Sequence, residues 1–227
     1  YKKYENYDQP RIVSVNVDVN IYPGTLDADA SGTYSMVNKT SNVIDSLFLN
    51  HNNAISTFEF DKETDLVLED TLYNFDIYRL KKPLYPGDSL KLSFSVKNKP
   101  NTGIRKNSSV VSNGTFINNR LFPTFGYPGG ELTDDKTREK YDLPPNKLKP
   151  HPSDSTALGN TYISKDADSI DFEATVSTSK DQIAIAPGYL QKEWIDGDRK
   201  YFHYKMDSKI LNFYAFNSAR YEVKKEM

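Results

Sequence analysis

Val13, Val15, Val17, Val19 and Ile21 alternate with Ser14, Asn16, Asp18 and Asn20. Successive side chains of an extended chain point to opposite faces, so a period of two gives a strand one apolar and one polar face. On a helix the same residues would be scattered around the circumference. The pattern requires a sheet with one face covered. It recurs in Ala28, Ala30, Gly32, Tyr34 and Met36, in Leu90, Leu92, Phe94 and Val96, and in Ile170, Phe172, Ala174 and Val176. Thr71, Tyr73, Phe75 and Ile77 alternate in the same way into Arg79 and Leu80.

Shorter apolar runs cover 43–49, 54–60, 66–68, 183–185, 201–206 and 210–216, the last read as a single closing strand. Turn signals separate them: Pro23-Gly24, Pro86-Gly87-Asp88, Pro187-Gly188, and Asp196-Gly197 in a hairpin behind Trp194. Proline presets one turn residue, and glycine supplies the positive φ. Short strands at this spacing predict an all-β sandwich of two mostly antiparallel sheets. One short helix is expected near 134–141, with Thr133 as the cap, Asp134 and Asp135 at its positive end, and Pro144-Pro145 stopping it. Residues 1–9 read as a lead-in arm and 219–227 as an exit. No linker or repeat divides the chain, so 1–227 is read as one domain.

A formal charge of -2 excludes an extended nucleic-acid footprint, and the absence of cysteine excludes disulfides and Cys-bound metal. No apolar window reaches the ~18 residues of a membrane-spanning helix. The chain opens at Tyr1 and closes on Lys224-Lys225-Glu226-Met227, which reads as a piece of something longer. His51, His151 and His203 are scattered, H-E-x-x-H is absent, and no serine stands in a nucleophile elbow. Glu131, Asp134 and Asp135 offer either a cation site or, more simply, a charged helix start. The aromatics serve either as core or as a face for a glycan or peptide. No catalytic residue, metal ligand or cofactor is assigned within the chain.

The most distinctive stretch is Asn113–Tyr127, NGTFINNRLFPTFGY, followed by Pro128-Gly129-Gly130. Phe116, Phe122 and Phe125 read as apolar anchors, and Pro123 fixes a bend. The segment is expected to be an ordered loop, pinned by its aromatics, crossing one end of the β scaffold.

Three stretches together resemble the N-terminal domain of aminopeptidase N-like (gluzincin) zinc aminopeptidases. Leu84-Tyr85-Pro86-Gly87-Asp88-Ser89-Leu90 is similar to that family's L-x-x-G-E/D-x-L. Arg120-Leu121-Phe122-Pro123-Thr124-Phe125 is similar to its R-x-F-P-C-F-D-E-P, and Ile210-Leu211-Asn212-Phe213-Tyr214 sits where the family has M-S-T-Y-L. Phe125-Gly126-Tyr127, Glu131-Leu132, 138–145, Ala186-Pro187-Gly188-Tyr189-Leu190 and Tyr201-Phe202-His203-Tyr204 resemble a bacterial branch fused to a multipass ABC-type permease protein. Gly126-Tyr127 replaces the usual Asp-Glu, and no Gln stands near Ser112 or Asn113, where typical members hold the substrate's N-terminus.

The resemblance implies a saddle-like β-sandwich that packs against a downstream peptidase domain of the same chain and walls a peptide cleft. Zinc would lie in that missing catalytic domain, and the membrane tether outside this piece, on the extracytoplasmic (periplasmic) side. Asn113, Phe116 and Arg120 are the expected cleft edge, and Phe122, Pro123, Phe125 and Tyr127 the residues that hold the loop. The competing expectation is a free-standing extracytoplasmic β-sandwich that binds a glycan or a partner protein.

Overall fold

The computed structural model of the chain describes residues 4, 7–51, 55–99, 108–126, 134–145, 151, 153–155 and 166–224. Its strands, in chain order, are β1 (Arg11–Tyr22), β2 (Asp27–Val37), β3 (Ile44–Asn50), β4 (Ile55–Phe60) and β5 (Thr64–Asp70). Next come β6 (Phe75–Leu84), β7 (Ser89–Asn98), β8 (Thr115–Asn118) and β9 (Thr124–Phe125). After the helix α1 (Asp135–Lys140) follow β10 (Ser169–Ser179), β11 (Ile183–Ile185), β12 (Tyr189–Asp196), β13 (Arg199–Lys205), β14 (Ile210–Leu211) and β15 (Ala215–Ala219).

One layer is an eight-stranded sheet in the order β12-β13-β10-β1-β2-β7-β4, with β14 attached to β10. Every neighbour in it is antiparallel except β1 and β10, which run parallel from Ser14 opposite Asp171 to Asn20 opposite Ser177. The second layer consists of two smaller sheets, β5-β6-β3-β9 and β11-β15-β8. Inward side chains of all three sheets form one core: Val17, Val19, Leu92 and Val176 from the large sheet, Leu47 and Leu49 from β3, and Ile117 and Phe216 from β8 and β15. This is the predicted all-β sandwich with one short helix.

Close packing inside the large sheet appears at Gly32, where an added Cβ would lie 2.5 Å from the Asn16 carbonyl oxygen. Among the described residues no helix is long and apolar enough to cross a membrane.

Three local expectations are corrected. The buried face of β1 begins at Ile12 rather than Val13, because a register shift between Ile12 and Ser14 turns Val13 outward. Thr71 to Tyr73 form a turn, not the start of a strand. The Asp70 carboxylate accepts the Leu72 and Tyr73 amides, Asn74 takes φ 51°, and Leu72 is left 79% exposed. The closing strand is two short ones, β14 and β15, interrupted where the Asn212 amide turns to Asp168.

The helix begins one residue later than expected. Asp134 caps it by accepting the Thr137 amide and hydroxyl, bonds that hold its carboxyl below the usual range. From the lead-in arm, Tyr4 and Tyr7 pack on Phe48 across the outer face of β3, and the Gln9 side chain accepts the Phe48 amide.

Candidate functional site

The chain crosses from one small sheet to the other within eleven residues of the aromatic stretch, since β8 belongs to the three-stranded sheet and β9 to the four-stranded one. A single 3-10 turn (Asn119–Leu121) makes the crossing, capped by the Asn118 side chain, which accepts the Arg120 amide. Phe122 then drops into the core, 5.9 Å from Phe94 of the large sheet, 5.6 Å from Tyr214 and 5.9 Å from Phe216. Pro123 and Phe125 are buried beside it, and Phe125 meets Phe60 edge-on. Gly126 turns away at φ 90°, donates its amide to Phe48, and accepts the Asn50 side chain on its carbonyl. A side chain at that φ would be strained, which is the physical reason for glycine there.

Phe122, Pro123 and Phe125 therefore turn inward. Phe116 does not: it is 53% exposed because Thr115 and Ile117 take the inward positions of β8. Tyr127 lies outside the described residues. Asp166, which the sequence analysis did not single out, is a further holder. Fully buried, it accepts the Phe125 amide at 2.7 Å on its carboxylate and the Ile12 amide on its carbonyl, tying the segment to the large sheet. Phe125 and Ile12 are both remote from it in sequence, so no local pattern marks these bonds.

The exposed side of the crossing holds two of the three expected edge residues. Phe116 and Arg120 line one groove, about 280 Å³, with Asn98, Ser109, Asn118 and Leu121. Arg120 also lines a second groove, about 380 Å³, with Asn50, His51 and Thr124 over a Phe122 floor. Arg120 is the ridge between the two. Asn113 lines neither. It sits at the other end of β8, where its side-chain oxygen accepts the Arg220 amide just past β15. The structure thus joins Phe116 with Arg120 and sets Asn113 apart.

Behind the second groove stands a pair invisible in the sequence. His51 Nε2 lies 3.5 Å from Asp76 Oδ2, with side chains 19% and 8% exposed, because β3 and β6 pair with Asn50 opposite Phe75. Burial raises the Asp76 carboxyl above its ordinary range, against the lowering effect of His51. The same burial, with Asp76 and Glu69 nearby, pushes the Tyr78 hydroxyl up to about 12. His51 is thus half-buried and oriented. His151 accepts or donates to Ser153 on a loop, and His203 pairs with Glu173 at 2.8 Å on the solvent face of the large sheet. The three histidines serve separate neighbourhoods.

Trp194 is stacked on Tyr201, 5.2 Å between centroids and 9° between planes, with the Lys192 ammonium 5.2 Å from the indole. Its ring is packed by its own neighbours rather than spread as a platform for a sugar.

No known family's sequence pattern matches the chain, and no curated protein sequence does. Solved structures do match its fold. The M1 zinc metallopeptidase of Deinococcus radiodurans superposes with a TM-score of 0.53 at 13% identity, over 91% of this chain and 42% of that one. The same figures hold for a variant of the two-domain M1 zinc metallopeptidase bound to L-tryptophan, and for a Deinococcus radiodurans variant bound to a Tyr-Ser-Ala substrate. At this identity the likeness is one of fold, and the chain spans less than half the length of these structures. The β-sandwich described above is thus shared with part of an M1 zinc metallopeptidase.

Proposed function

We propose that this chain is a non-catalytic domain of a zinc aminopeptidase-like protein, packing against a peptidase domain of the same polypeptide and walling its peptide cleft. The observation that carries this reading is the fold: nearly the whole chain superposes on less than half of a two-domain zinc peptidase, leaving the rest of that architecture for a catalytic unit. Zinc belongs to that unit. The Arg120–Phe125 motif lies at the crossing between the small sheets, with Arg120 and Phe116 outward, as a cleft edge requires.

The packing face is the outer side of the three-stranded sheet. There Phe116, Asn217 and Ile185 stand in one row, with Asn118 and Ala215 beside them. Phe116 and Ile185 are 53% and 41% exposed, and large apolar groups grouped on a sheet face mark an interaction surface. On the motif resemblance alone, the parent would be a membrane protein of the ABC permease type, with this domain on its extracytoplasmic face.

The test is to express the 227-residue chain and the longer product of its reading frame, and to assay each for bound zinc and for cleavage of aminoacyl-naphthylamides. Zinc and cleavage confined to the longer product support the reading. Zinc-dependent cleavage by the 227-residue chain itself defeats it.

A further inference from the structure

We propose that the groove between Arg120 and His51 is a carboxylate-binding site, taking the terminal or side-chain carboxylate of a peptide. The groove is about 380 Å³, and Asn50, His51, Arg120, Phe122 and Thr124 line it. Among the described residues the lining carries no carboxylate, and Arg120 supplies a permanent positive charge. The guanidinium has five donors in a planar fork, so it engages a carboxylate bidentately while keeping other bonds.

The walls are set in advance. The Arg120 amide is held by Asn118, the Asn50 side chain by the Gly126 carbonyl, and the Phe122 floor by the aromatic core. Asp76 stands behind His51 at 3.5 Å and is itself buried, so it orients the ring without lining the groove. Across Arg120 the neighbouring groove presents Phe116, Ile117 and Leu121, a shelf for an apolar side chain adjoining the bound carboxylate. The ligand class is therefore a peptide with a carboxylate next to an apolar residue. Binding is a property of this chain. Only its use in a peptide cleft rests on the function proposed above.

The experiment titrates the 227-residue chain with N-acetyl-Ala-Phe, with its C-terminal amide, and with an amidated peptide carrying Glu beside Phe, reading calorimetry and the His51 ring resonances. The free acid is expected to bind saturably and shift His51, and the plain amide to bind at least about tenfold more weakly, the scale of one charged hydrogen bond. Binding of the Glu peptide extends the site to side-chain carboxylates, and its failure narrows the site to chain termini. Either result keeps the carboxylate assignment. Arg120→Gln, at an exposed position, should lose about tenfold in affinity, and Arg120→Lys should restore only part of it. The proposal is overturned if the amide binds as well as the acid, if folded Arg120→Gln binds like the native chain, or if no peptide shifts His51. None of these outcomes depends on zinc or cleavage, so a failed site and a failed peptidase assignment are told apart.

Discussion

The sandwich has two contrasting outward sheet faces. On the large sheet a single row reads Glu59, Ser93, Thr33, Asn16, Glu173 and Lys205 across six strands. The next row holds Thr57, Ser95, Ser31, Asp18, Thr175 and His203. In these rows Glu173 takes both His203 and Lys205, whose bonds, His203's first, hold its carboxyl low. Its one large aromatic pair is stacked on itself. Tyr189 of β12, opposite Lys205, is 64% exposed there, and the rest of these two rows is polar. On the three-stranded sheet the row is Phe116, Asn217 and Ile185, with grooves alongside. The same fold thus solvates one side and leaves the other apolar, and that difference favours a domain packed on a neighbour over a free-standing glycan binder.

The inner side of the crossing segment should give the largest effect. Phe122→Ala removes a ring that touches both layers and should cost about 3–5 kcal/mol in chemical denaturation. A cost under about 1 kcal/mol would mean that the segment is not what joins the layers. Asp166→Ala leaves the buried Phe125 amide without its acceptor and should cost about 1–3 kcal/mol. The double change Phe116→Ser and Ile185→Ser tests the apolar face itself. Stability of the chain alone should stay within about 0.5 kcal/mol per site, while association with a peptidase domain should weaken by about tenfold or more. A large loss of stability instead would make these residues part of the core and remove the contrast between faces.

The smallest effect is a pH dependence at Asp76. Its folded pKa is raised by burial, so its stabilising contribution is full below the ordinary carboxylate range and is lost as pH rises through the raised value. Asp76→Asn removes that loss. Its melting temperature relative to the native chain should therefore climb between pH 4 and pH 7. A difference that falls with rising pH would show that His51 outweighs burial.

The strands with uninterrupted alternation, β2, β7 and β10, were legible because each has a covered inner face and a wet outer one. Alternation misled where a local bond overrode it: the Asp70 carboxylate caps 72–73 into a turn, and a bulge flips Val13. Phe122, Pro123 and Phe125 were legible as inward residues from their size and the bend. Phe116 was not, because aromaticity alone does not say which side of a short strand a residue takes. Asp166 and the His51–Asp76 pair were illegible for another reason. Each depends on a contact between residues far apart in the sequence, Asp166 with Phe125 and His51 with Asp76.

The most direct measurement is amide hydrogen exchange on the 227-residue chain and on the longer product of its reading frame. The account predicts that added protection concentrates on Thr115–Asn118 and Ile183–Ile185, with the solvent face and outer edge of the large sheet unchanged at Tyr189–Asp196. Protection that appears on β12 instead, or identical exchange in both proteins, would contradict the claim that the apolar face of the small sheet is where this domain meets its neighbour.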